Sequence, residues 1–186
     1  LKKFNAEYPE IHISVVNRTT QELIRLLKNG AVDLSFVNLP VEKDSVLDIT
    51  PVMQFHDCFV TGVKYSYLAD SMIRLRDLLK YPILMLEKSS NSRKQMDIFL
   101  RSYGLEIAPS IELDSFALLS EFAKIGLGIA ATIKEDAQKM LDSNDLYELR
   151  FFETMPTRDL GMAQMRNLSL SFAAESFKKS ILASTI

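Results

Sequence analysis

The chain has 186 residues, 47% hydrophobic and 25% charged, with a net charge of −2; this is enough to bury a sizeable core in one domain or two small lobes. Charges of both signs leave no broad basic face for nucleic acid, and no apolar run approaches the roughly 18 residues that span a membrane. A single cysteine, Cys58, excludes an internal disulfide framework and fits a reducing compartment.

Leu1, Phe4 and Tyr8 share a helical face that Pro9 ends. Because the chain opens on Leu1 rather than Met, this helix is expected to continue upstream. Ile11, Ile13 and Val15 alternate with His12, Ser14 and Val16, the pattern of a strand over 11–16. Thr19-Thr20-Gln21-Glu22 is a capping box. It opens a helix with Leu23, Ile24, Leu26 and Leu27 on one side and Gly30 just beyond its end. Val32, Leu34 and Phe36 predict a second strand reaching Asn38, so the region reads as a βαβ unit with parallel strands.

Two further strands are expected at 46–51 and 57–63, then a crossing and short helix over 65–81. Ile83–Leu86 reads as a buried strand. Four small polar residues follow it, Ser89, Ser90, Asn91 and Ser92, and then a helix that opens with Arg93 and Lys94. Basic residues in a first turn oppose the helix dipole, whereas free backbone N–H groups there suit an anion. That helix carries Met96, Phe99, Leu100 and Tyr103 on one face, with Gly104 after it. Ile111–Leu113 is the next strand. Asp114 or Ser115 caps a helix bearing Leu118, Leu119, Phe122 and Ile125, and Gly126-Leu127-Gly128 leads into a strand over 129–132. A helix over 135–141, strands at 146–149 and 160–165, and a helix capped by Ser171 complete the chain.

Two strand–helix–strand series with a crossing between them predict two α/β lobes and a cleft, with ligands at the carboxyl ends of strands. The loops Arg18–Thr20, Asn38 and Ser89–Arg93, with Thr132, all follow strands and are expected to line that cleft. Catalytic and metal candidates are poor. His12 and His56 lack partner motifs, Cys58 sits within a strand, and these three make no zinc spacing. Gly126-Leu127-Gly128 follows a helix rather than a strand, so it is no dinucleotide fingerprint. No metal, no cofactor and no enzymatic activity is expected.

Asn5-Ala6-Glu7-Tyr8-Pro9 with Ile11 and Ile13, followed by Leu27-Lys28-Asn29-Gly30-Ala31-Val32-Asp33-Leu34, resembles the opening of the effector-binding domain of LysR-type transcriptional regulators. Leu118 to Ala130, with its Gly-x-Gly, resembles that family's middle motif, and Leu170-Ser171-Phe172-Ala173-Ala174 resembles its closing one. The resemblance implies a periplasmic-binding-protein-like (type II) fold of two Rossmann-like lobes, residues 1–63 with 146–186 and residues 64–145. Two crossover strands, near 59–62 and 161–165, would join the lobes. It also implies a small, anionic effector held by Arg18, Thr19, Thr20, Asn38, Ser89, Ser90, Asn91, Ser92, Arg93 and Thr132. A dimer of this domain and a tetramer of the full-length protein are implied as well, with promoter DNA bound only through a winged helix-turn-helix that this chain lacks. The family's first strand and its Ser/Thr are not found here, Ala131-Thr132-Ile133-Lys134 stands where a Leu-Pro pair is common, and Phe172 replaces the proline of the closing motif. An extracytoplasmic solute-binding protein of a transporter is the alternative that shares the two-lobe plan.

Overall fold

The computed structural model describes residues 1–183. In chain order the elements are α1 (Lys2–Glu7), α2 (Thr20–Lys28), β1 (Ser35–Asn38), β2 (Leu47–Thr61), β3 (Met72–Ile73), β4 (Ile83–Leu86) and α3 (Asn91–Ser102). They continue as β5 (Ile111–Leu113), α4 (Phe116–Lys124), β6 (Ile129–Ile133), α5 (Lys134–Asp142), β7 (Tyr147–Glu148), β8 (Arg150–Phe151), β9 (Thr157–Met165) and α6 (Phe172–Leu182). The chain divides into two compact units, residues 1–54 with 159–186 and residues 55–158. Both divisions fall inside long strands, β2 and β9, rather than at 63/64 and 145/146. Residues 147–151 stay with the second unit because Tyr147 pairs with Thr61 and Phe151 with Ile73.

In the first unit, β1 pairs antiparallel with β9 in the register Ser35↔Ala163 to Asn38↔Leu160. Its core joins Leu27 of α2, Val37, Leu47 and Ala163, with Leu23, Ile24 and Ile49 against them. Phe4 of α1 is buried and stacks edge-on to Phe177 of α6 at 5.1 Å between ring centroids. The capping box forms as read. Thr19 Oγ1 accepts from the Glu22 N–H, and Glu22 accepts from the Thr19 N–H at 3.1 Å. At the other end of α2, Gly30 has φ +67, and the Gly30 and Ala31 N–H groups close back on Leu27 and Leu26, a Schellman ending that needs the left-handed backbone glycine tolerates.

Two expectations fail here. Residues 11–16 form no strand, and Val15 is 74% exposed. Alternation is only half of what a strand requires; its N–H and C=O groups need a neighbouring ladder, and no described strand supplies one. The parallel βαβ unit is therefore absent among the described residues. The expected strands at 46–51 and 57–63 are one continuous strand, β2, that carries Pro51 at an exposed position.

In the second unit β4 lies between β5 and β6, parallel to both, and β6 pairs antiparallel with β2. β4 and β6 are buried along their whole length, as strands covered on both faces must be. One face carries Phe59, Met85, Ile129 and Ala131, packed against Met96 and Leu100 of α3. The other carries Cys58, Val60, Leu84, Leu86 and Ala130 against Leu119 and Ala123 of α4 and Ala137 of α5. The period-2 alternation of side chains thus sends each strand into two cores. Cys58 is buried, and burial first, then the nearby Glu148 and Asp57 carboxylates, push its thiol well above the ordinary range.

Candidate functional site

The carboxyl ends of parallel β4 and β6 in the second unit meet the start of α3, where a doubly wound sheet presents its ligand crevice. A cavity of about 10 Å3 lies there, lined by Leu86, Ser92, Arg93, Phe116, Thr132 and Asp57 among others. That volume holds about one water molecule.

Helix α3 begins at Asn91 with Ser90 as its N-cap, yet the Ser90 side chain makes no capping hydrogen bond. In α4 and α6, by contrast, Ser115 caps the Leu118 N–H and Ser171 the Ala174 N–H. The first intrahelical bond of α3 is Lys94 N–H to the Ser90 carbonyl. The N–H groups of Asn91, Ser92 and Arg93 have no acceptor among the described residues. A turn with free donors and the positive end of the dipole favours an acceptor.

Thr132 sits on β6 directly opposite Cys58 and beside Asp57, whose register partner is Ile133. Thr132 is 1% exposed, and its hydroxyl has no hydrogen-bond partner among the described residues, although the residue lines the cavity. A buried hydroxyl without a partner costs about 1–3 kcal/mol, which a hydrogen-bonding group at the cavity would offset.

Arg93 does not point outward. Its side chain is 2% exposed, and its guanidinium donates to Asp97 at 2.9 Å, to Glu112 at 2.9 Å and to the Leu86 carbonyl at 2.7 Å. It ties α3 to the end of β4 and to β5. The expected picture of a helix-opening arginine free for an anion is corrected to an arginine whose charge is matched by two carboxylates. Lys94 beside it is exposed.

The cation that does reach the start of α3 is Arg158 of β9, which no local pattern marked. It holds Asp57 through two bonds, Nε to Oδ2 at 2.8 Å and Nη2 to Oδ1 at 2.6 Å, and donates from Nη1 to Ser92 Oγ at 2.7 Å. Asp57 and Arg158 are 5% and 7% exposed. Burial pushes the Asp57 carboxyl up from its ordinary value while the Arg158 guanidinium pulls against that rise. Asp57 opens an expected strand, but Arg158, 101 residues away, stands two residues before the expected strand 160–165, so nothing in the sequence pairs them.

The remaining expected residues lie elsewhere. Ser89 is exposed beside Glu87, with 3.5 Å between the hydroxyl and carboxylate oxygens. Arg18, Thr19, Thr20 and Asn38 belong to the first unit. There Arg18 donates to the Asn17 carbonyl at 2.7 Å, Thr19 is engaged in its capping box, and Asn38 ends β1 opposite Leu160. His56 is bonded to Glu135 at 2.7 Å and His12 is exposed. No group of described His, Cys, Asp and Glu residues is placed to hold a metal, and no described helix is long and apolar enough to cross a membrane.

Among curated proteins, the chain is 24% identical over 186 residues to a probable RuBisCO transcriptional regulator of Chlorokybus atmophyticus, covering 97% of this chain and 59% of that one. The chain thus spans about three-fifths of the length of that relative. Among solved structures it matches the Synechocystis PCC6803 CcmR regulatory domain in complex with 2-PG, with a TM-score of 0.86, 20% identity, and coverage of 99% of this chain and 88% of that one. It matches the effector-binding domain of QuiR in complex with shikimate with a TM-score of 0.80 at 20% identity, covering 99% and 87%. These likenesses give it the periplasmic-binding-protein-like, type II α/β fold. The family model of the LysR substrate binding domain matches residues 1–185. The two-unit α/β chain described above therefore belongs to the LysR substrate-binding domain family.

Proposed function

We propose that this chain is the ligand-sensing domain of a cytoplasmic LysR-type transcriptional regulator. It binds a small anionic metabolite without turnover, and occupancy modulates promoter DNA binding by the full-length oligomer. The observation that carries the anionic ligand is the open start of α3. The donors of Asn91, Ser92 and Arg93 are unpaired beside the buried, unpartnered Thr132 hydroxyl. Ser89 and Ser90 flank them. The cavity has room for little more than one water, so the ligand lies over the first turn of α3 with the cavity behind it. Two proteins of this fold hold small molecules, 2-PG in one case and shikimate in the other, which supports the reading. The Arg93 side chain supports the wall, and only its backbone N–H faces the ligand. Arg18, Thr19, Thr20 and Asn38 are kept as effector contacts on family resemblance, as are the dimer of this domain and the tetramer of the whole protein.

A thermal-shift panel of carboxylates, amino acids and inorganic anions tests the proposal. A true ligand at a hundredfold excess over its Kd adds about 2.7 kcal/mol of stability and is recovered unchanged. A panel in which no anion shifts the melting of this chain would remove the basis for the site.

A further inference from the structure

Ser92 is the second residue of α3, and its hydroxyl oxygen accepts from Arg158 Nη1 at 2.7 Å. A guanidinium can only donate, and a hydroxyl has a single proton to give. Ser92 is therefore held as acceptor toward Arg158, and its own proton has no described acceptor. Ser92 makes no described hydrogen bond to Asp57, whose two oxygens each accept from Arg158 and whose charge Arg158 matches. Resting on the ligand site proposed above, we propose that Arg158 is a positioning residue, locked by Asp57, that fixes Ser92 as an O–H donor to the bound oxyanion.

The consequence is a site read by donors rather than by an unpaired cation. The three free N–H groups, the Ser92 proton and the Thr132 hydroxyl can all donate. Arg158 is matched by Asp57, and Arg93 by Asp97 and Glu112. An acceptor-only oxyanion, such as a carboxylate or phosphate, meets every one of these groups; an ammonium meets none. The Asp57–Arg158 pair also joins β2 to β9, the two strands in which the chain passes from one unit to the other. Ser92 is thus one hydrogen bond from Arg158 on β9 and a second from Asp57 on β2.

Calorimetric titrations with 2-PG, shikimate, inorganic phosphate and inorganic sulfate test this, using the tightest binder for the variants. Ser92→Ala loses about tenfold in affinity, as one hydrogen bond to a charged ligand is worth. The apolar pair Asp57→Leu with Arg158→Met keeps the fold, since buried ion pairs tolerate apolar replacement, and loses about as much as Ser92→Ala. Adding Ser92→Ala to that pair costs less than about twofold more, because Ser92 is already unfixed. A further loss of twofold or greater, or wild-type affinity in the Leu/Met pair, overturns the role of Arg158. Should the pair fail to fold, Arg158→Lys serves instead; it keeps the charge but not the fork, and unchanged affinity there overturns the proposal. Failure of every probe to bind the unmodified chain removes the site itself, an outcome distinct from additivity.

Discussion

Residues that look alike in the sequence do different work here, and substitutions separate them. Ser90 and Ser115 both stand at helix N-caps, but only Ser115 bonds its helix. Ser115→Ala is expected to cost about 1 kcal/mol in urea unfolding, whereas Ser90→Ala leaves the midpoint nearly unchanged and weakens anion binding. Equal losses from the two would mean that Ser90 caps α3 after all. Arg93 shows the opposite case. Read as a stray cation at a helix start, it looks removable. Buried against Asp97 and Glu112, which reach solvent at 22% and 36%, it is structural. Arg93→Ala should lower stability by about 1–3 kcal/mol, and a melting curve identical to wild type would contradict its placement. Neither Arg93–Glu112, 19 residues apart, nor Asp57–Arg158 could be read locally, because only the paralleling of β4 and β5 and the course of β9 bring them together.

Caps and helix ends governed by local chemistry were legible, and so were the apolar runs of β4, β5 and β6; a strand pattern with no neighbouring ladder was misleading. The Thr19 box, the Ser115 and Ser171 caps, and the endings at Gly30 and Gly104 all follow from dihedral preference and nearest polar groups. The stretch 11–16 has strand periodicity but no ladder, and β2 runs through the gap expected between 51 and 57. Gly128 lies between these extremes. It leads into the small-residue strand β6, and a Cβ there would sit 2.5 Å from the Pro82 carbonyl oxygen and 3.0 Å from Leu84. Because the Ile129 N–H donates to that same Pro82 carbonyl at 2.9 Å, the backbone has little room to yield. Gly128→Ala is expected to destabilise the β4–β6 sheet by about 1–3 kcal/mol; retained stability would show that the strands can separate at that point.

At the scale of the whole chain, the two compact units give separate reporters. Cys58 lies in the second unit, packed with Val60, Leu84 and Ala137, and its thiol is held protonated by burial and neighbouring carboxylates. It should resist a thiol reagent at pH 8 until that unit unfolds, and rapid labelling of the native chain would contradict the packing. The sign of the linkage follows. A thiol raised above its ordinary value near 9 is protonated in the folded state while the unfolded one ionises. The stability it contributes is full below that value and lost as pH climbs beyond it.

The central claim is that the open donors at the start of α3 receive an oxyanion. Titrating 2-PG, shikimate, phosphate or sulfate into the isotopically labelled chain and following amide resonances tests it most directly. The amides of Asn91, Ser92 and Arg93 should move together and saturably, with Thr132 moving beside them, and Thr132→Val should weaken the same titration. Saturable binding that leaves those three amides unmoved, or no binding by any of the four, would contradict it.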